Sequence, residues 1–117
     1  SQIIAMTSSG SQRQWTTYGA VSMAKAALES ATRQLALELA PFEIACNTIQ
    51  AGVTITPALE KIPNYKQMIK QALTSNPHKR LTLPYDVATA VTLIGLSKNI
   101  WLTGNNIKVD GGESLTN

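Results

Sequence analysis

The chain has 117 residues, 44% hydrophobic and 15% charged, with a formal net charge of +3. That composition suits one soluble globular domain with a real core rather than a disordered chain. Ten scattered basic residues with only Lys79 and Arg80 adjacent argue against a nucleic-acid surface, and no apolar run approaches the roughly 18 residues of a membrane span.

Residues 3–7 (IIAMT) form a short apolar run closed by Ser8-Ser9-Gly10, which predicts a buried strand ending in a loop. A helix is expected over 18–39, with Thr16 or Thr17 as cap and Pro41 as stop. Its apolar stripe is Ala24, Leu28, Ala31, Leu35 and Leu39, recurring at spacings of three and four. Residues 44–50 read as a second, alternating strand ended by Ala51-Gly52. A loop over 52–63 follows, with a short helix at 58–62. Asn64 then caps a helix through Leu73, and Asn76-Pro77 breaks it. Thr82 as cap and Pro84 near the first turn open a helix over 85–97. Thr103-Gly104 leads to a last strand at 105–109, closed by Asp110-Gly111-Gly112.

Strand, long helix, strand is a parallel crossover, because a hairpin needs only a short turn. The fold class is therefore α/β with a parallel sheet. Such sheets bind ligands outside the carboxyl ends of their strands. Those ends are residues 8–10, 50–56 and 110–113, which are expected to share one edge.

Chemistry centres on YGAVSMAK, residues 18–25. Seven residues turn a helix by about 700°, so Tyr18 and Lys25 share a face roughly 10 Å apart along the axis. A cation near a phenol makes its proton a better hydrogen-bond donor, and a phenol so held can stabilise a developing oxyanion. Such pairs are also common on solvated helix faces. His78, the only histidine, sits in a polar loop and reads as a surface residue. One His and one Cys make no metal site. The single Cys46 suits a reducing compartment. Trp15 and Trp101 are isolated aromatics with no assigned role.

The stretches IIAMTSSG, YGAVSMAKAALESATRQLALELAP, IACNTIQAGVTITPAL and LTGNNIKVDGGESL resemble the second half of the short-chain dehydrogenase/reductase family, over nearly the whole chain. The family's usual Tyr lies four residues before its Lys. Here that position is Val21, and the tyrosine lies three residues further upstream. This Tyr-x6-Lys spacing resembles the enoyl-acyl-carrier-protein reductase branch. The resemblance implies the C-terminal half of a Rossmann-like doubly wound parallel sheet. Its activity would be NADH- or NADPH-dependent reduction of the trans-2 double bond of an enoyl thioester, in fatty acid biosynthesis. The substrate would be carried on acyl-carrier protein or CoA, the location would be cytoplasmic, and no nucleic acid or membrane partner is expected.

By the same resemblance, Tyr18 would hydrogen-bond the thioester oxygen as it becomes an enolate, and Lys25 would hold the nicotinamide ribose. Ser8 stands at the family's serine position. Gly52 would let the backbone approach the nicotinamide, Val53 and Thr54 would contact its carboxamide, and Thr56 the phosphates. Residues 57–73 would be the substrate-binding segment, with Leu59, Ile62, Tyr65, Met68 and Ile69 lining an acyl tunnel or simply docking a lid helix. Asp110-Gly111-Gly112 would be the turn near the nicotinamide side. Ala20, Ala24, Ala27 and Ala31 would pack the long helix against a partner subunit, giving dimers or tetramers, or pack it within one subunit.

None of the seven glycines forms G-x-G-x-x-G, so the dinucleotide-binding half is expected on a segment outside this sequence. The alternatives are another short-chain reductase, of 3-ketoacyl or hydroxysteroid type, and a truncated non-catalytic remnant that needs a partner.

Overall fold

The computed structural model describes residues 1–12 and 14–116. Strand β1 (Gln2–Ser8) pairs in parallel with β2 (Ala45–Ala51), and β2 pairs in parallel with β3 (Asn106–Val109), in sheet order β1-β2-β3. Helix α1 (Gly19–Glu38) makes the crossover between the first two strands. Helices α2 (Pro57–Glu60), α3 (Tyr65–Ser75) and α4 (Pro84–Gly95) lie between β2 and β3. The register aligns Ser8 with Ala51 and Ala51 with Val109. The three carboxyl ends therefore share one edge, as the crossover pattern predicts.

The central strand is buried on both faces, not alternating. Residues 45–50 are all buried, and Ile49 is fully so. Burying an isoleucine of this kind contributes about 1.5–3 kcal/mol. Polar residues share the interior because each is bonded. Asn47 donates through Nδ2 to the Leu102 carbonyl (2.8 Å) and accepts at Oδ1 from Asn105 N (3.1 Å). Gln50 Oε1 accepts from Asn106 Nδ2 at 2.8 Å. These bonds set the position of β3 against β2, so a polar strand does the work that an apolar ladder does elsewhere.

Helix α1 turns a different face inward from the one its apolar stripe predicts. Tyr18, Ser22, Glu29, Thr32 and Ala36 are buried, with Lys25 partly so. Ala24, Ala31 and Leu35 are exposed, and so are Ala20 and Ala27. The inward face is polar because it is bonded to the end of β1 and the turn after it. Lys25 Nζ donates to the Met6 carbonyl (3.0 Å), Thr7 Oγ1 to Glu29 Oε2 (3.0 Å), and Ser22 Oγ to the Gly10 carbonyl (2.6 Å).

The caps also differ from expectation. Tyr18 itself is the N-cap residue of α1. Thr17, one residue earlier, has φ +69°, an uncommon and strained choice for a β-branched side chain. Asn64 occupies the N-cap position of α3 in a left-handed conformation, without a side-chain cap bond. Thr82 is buried and donates its N–H to the Val53 carbonyl (3.2 Å). The cap of α4 is instead served by Asp86, whose carboxylate accepts from Leu83 N at 2.8 Å and from both Arg80 guanidinium nitrogens at 2.7 and 2.9 Å. The Arg80 hydrogen bonds and the Leu83 N–H lower the Asp86 carboxyl to about 2. Burial pushes the Cys46 thiol up.

No helix among the described residues is long and apolar enough to cross a membrane. Among the described residues no three His, Cys, Asp or Glu side chains are grouped to hold a metal ion.

Candidate active site

A cavity of about 300 Å³ opens at the carboxyl edge of the sheet. Its floor is the end of β1, its near wall is the first two turns of α1, and its far wall is the loop after β2 with α2 and the start of α3. Ser8, Tyr18, Lys25, Gly52, Val53, Thr54, Thr56, Leu59, Ile62 and Met68 all line it. Tyr65 and Ile69, expected on the acyl-binding surface, do not line this cavity. Helix α3 presents Met68 there; Ile69, one position later, is turned about 100° around the helix axis, and Tyr65 is the first residue of the helix.

Tyr18 is 8% exposed, and its hydroxyl lies 3.5 Å from Ser8 Oγ, a long contact at the edge of hydrogen-bonding range. The Lys25 stem runs to the Met6 carbonyl, which fixes the ammonium group beside the cavity at the end of β1. Two glycines hold this arrangement. A Cβ on Gly10 would fall among the Cε1, Cζ and Cδ1 atoms of the Tyr18 ring, so only glycine lets the ring lie where it does. A Cβ on Gly52 would meet Thr82 Oγ1, Asp110 Cβ and Glu113 Oε2. The close approach at Gly52 is thus used by the chain's own residues as well as facing the cavity.

The loop after β2 is held from behind. Val53 donates its N–H to Glu113 Oε2 at 3.0 Å and its carbonyl accepts from Thr82 N at 3.2 Å. Both backbone groups of Val53 are therefore committed to the chain itself. Thr54 Oγ1 donates to the Gly52 carbonyl (2.9 Å). Thr56 Oγ1 accepts from Leu59 N (3.1 Å) as the cap of α2, and its hydroxyl proton remains a donor for another acceptor. Asp110 closes the last strand by accepting from Gly112 N (3.0 Å) and Ser114 N (3.1 Å).

Trp15 also lines the cavity, and sequence reasoning gave it no role. Its ring stands edge-on to Tyr18, with centroids 5.3 Å apart at 72°, a favourable aromatic geometry. An isolated tryptophan in a polar stretch carries no periodic signal. The one available cue was its position three residues before the tyrosine.

The donor set fits part of a nicotinamide cofactor. An ammonium group suits ribose hydroxyls, and Thr54 and Thr56 stand beside a backbone loop at the strand ends. The glycine-rich cradle that holds a pyrophosphate is not present in this sequence.

The family model described as enoyl-(acyl carrier protein) reductase matches residues 1–114. The chain belongs to this family. It is 31% identical over 116 residues to 1-cyclohexenylcarbonyl-CoA reductase of Streptomyces collinus, covering 97% of this chain and 41% of that protein. It is 33% identical to the NADH-dependent enoyl-[acyl-carrier-protein] reductase FabI of Enterococcus faecalis, covering 99% of this chain and 46% of that one. A crystal structure of the Bacillus cereus enoyl-acyl carrier protein reductase, with NADP+ and an indole naphthyridinone, superposes with a TM-score of 0.92 at 26% identity, covering 99% of this chain and 45% of that chain. The fold is thus that of part of a Rossmann-like reductase, and the chain spans less than half the length of these relatives.

Proposed function

We propose that this chain supplies the catalytic and substrate-facing part of an NADH- or NADPH-dependent enoyl-[acyl-carrier-protein] reductase that saturates the trans-2 double bond of an enoyl thioester in fatty acid biosynthesis. One observation carries this reading: Tyr18, Lys25 and the loop from Gly52 to Thr56 line a single cavity at the carboxyl edge of a parallel sheet. The names and cofactors of the relatives support it.

When bound, a reduced nicotinamide would supply hydride to the β-carbon, and the enolate so formed would take its α-carbon proton from water. This chain's residues orient the acceptor and stabilise charge. The Tyr18 hydroxyl donates to the thioester oxygen, which gains negative charge as the β-carbon is reduced. Its ring lies against Gly10 and stands edge-on to Trp15. Lys25, anchored at the Met6 carbonyl, would bind the ribose hydroxyls through its remaining donors. Thr54 would hold the carboxamide and the Thr56 hydroxyl a phosphate. The Ser8 hydroxyl is a second donor beside Tyr18. Leu59, Ile62 and Met68 form the apolar wall for the acyl group. The dinucleotide-binding half of the domain comes from a polypeptide segment beyond these residues, and the exposed small residues of α1 pack against a second subunit.

The test is a split between two variants of the holoenzyme. Tyr18→Phe is expected to lower turnover about 10²-fold or more with cofactor affinity nearly intact. Lys25→Ala is expected to weaken cofactor binding. Unchanged turnover in Tyr18→Phe would remove the phenol from the mechanism.

A further inference from the structure

Glu29 is a buried carboxylate that the proposed reaction does not use. It is 7% exposed, and among the described residues it has no ion-pair partner. Its hydrogen bond comes from the hydroxyl of Thr7, itself buried, at 3.0 Å. A carboxylate is costly to take out of water. An apolar side chain would fill the same space without that cost, so packing alone does not account for it. Glu29 belongs to a polar stripe on α1, with Ser22 and Lys25 at spacings of three and four. Each member engages the end of β1 or the turn after it. Ser22 Oγ donates to the Gly10 carbonyl at 2.6 Å and Lys25 Nζ to the Met6 carbonyl at 3.0 Å. Lys25 and Glu29 stand about 6 Å apart along the helix axis and engage consecutive residues of β1, Met6 and Thr7. Thr7 and Lys25 line the reaction cavity, and Glu29 does not.

We propose that Glu29 is a positioning residue for Lys25: by holding Thr7 it fixes the Met6 carbonyl on which the ammonium group rests, and so sets the affinity for the nicotinamide cofactor. This inference rests on the cofactor-holding role given to Lys25 above. The Met6 carbonyl lies in one planar peptide unit with the Thr7 nitrogen and Cα. A Thr7 side chain tied to α1 therefore resists rotation of that plane. Helix side chains lean toward the N-terminus, so Glu29 reaches along the stripe toward Lys25. The ammonium group has three donors. With one fixed at Met6, the direction of the other two is set before a ribose arrives, which lowers the ordering cost of binding.

The experiment titrates NADH and NADPH into the holoenzyme and its Glu29→Leu, Glu29→Gln and Lys25→Ala variants, and measures kcat at saturating cofactor. Glu29→Leu is expected to raise the cofactor Kd about 10-fold, the scale of a lost hydrogen bond to a charged group. Its kcat should barely move, because Tyr18 is placed by Gly10 and Trp15 instead. A merely structural role would reduce the active fraction, lowering kcat and leaving Kd unchanged, and that result overturns the proposal. Glu29→Gln keeps an acceptor for the Thr7 hydroxyl and is expected to bind cofactor nearly as the parent does. A loss as large as that of Glu29→Leu overturns the hydrogen-bond clamp. In the Lys25→Ala background Glu29→Leu should add no further weakening, and an undiminished loss there also overturns the proposal. Thr7→Val removes the same bond from the strand side and should reproduce the rise in Kd, which keeps the test decisive if Glu29→Leu does not fold. Unchanged affinity in Glu29→Leu beside weakened affinity in Lys25→Ala overturns this proposal alone. Unchanged affinity in both overturns the role of Lys25 on which it rests. The titration needs no thioester, so the expected split in an enzyme that reduces 3-ketoacyl but not enoyl thioesters would uphold Glu29 and overturn only the reaction assigned above.

Discussion

Replacing Gly10 with alanine probes the site at its tightest contact. The added Cβ would fall among the Tyr18 ring atoms. The backbone at residue 10 cannot retreat freely, because its carbonyl accepts from Ser22 Oγ at 2.6 Å. The ring cannot simply slide, because Trp15 packs against it at 5.3 Å. Overpacking of this kind costs about 1–3 kcal/mol. A reacting group displaced by about 1 Å loses about 10² in rate. Gly10→Ala is therefore expected to lower stability by about 1–3 kcal/mol and turnover by about 10². Cofactor affinity should barely change, because Lys25 is anchored separately at Met6. Urea denaturation, steady-state kinetics and cofactor titration measure the three quantities. A double-mutant cycle with Tyr18→Ala isolates the cause. Once the ring is gone, the alanine at position 10 should cost almost nothing. Wild-type turnover and stability in Gly10→Ala, or an undiminished cost in the Tyr18→Ala background, would refute the steric reasoning.

Other outcomes follow from contacts elsewhere in the fold. Thr7→Val removes the hydroxyl that donates to the buried Glu29 carboxylate, and leaving such an acceptor short of a donor should cost about 1–3 kcal/mol or more in urea denaturation; a neutral effect would mean Glu29 is satisfied some other way. The Asp86 carboxyl is lowered to about 2, so its pairing with Arg80 contributes stability that is present above the unfolded-state value near 4 and is lost as pH falls toward 2. Because the pair is at the surface, Asp86→Asn should lower the urea midpoint only slightly at neutral pH and less at high salt. The difference from wild type should shrink steadily as pH falls from about 4 to about 2, and a gap of constant size over that range would show that the loss is not electrostatic.

The order of strand, helix and strand was legible in the sequence because Pro41, Asn76-Pro77, Pro84 and Gly111-Gly112 punctuate it. Boundaries moved by a residue or two, as at α4, which begins at Pro84 rather than Tyr85. The inward face of α1 was not legible. Ala24, Ala31 and Leu35 carry the apolar period, yet the helix buries Ser22, Glu29 and Thr32, because its contacts with β1 are hydrogen bonds rather than apolar packing. Alternation likewise failed for β2, where both faces are covered and Asn47 and Gln50 are satisfied by residues more than fifty positions away. Tyr18, Lys25 and the loop from Gly52 to Thr56 could be singled out by spacing and family resemblance. Trp15 and the steric role of Gly10 could not, since both depend on where one aromatic ring lies in three dimensions.

The most direct test of the proposed reaction is to offer the NADH- or NADPH-loaded holoenzyme trans-2-enoyl and 3-ketoacyl thioesters of the same chain length and follow nicotinamide oxidation. Oxidation with the enoyl thioester and none with the 3-ketoacyl thioester is the predicted result. Oxidation with the ketone alone would contradict it.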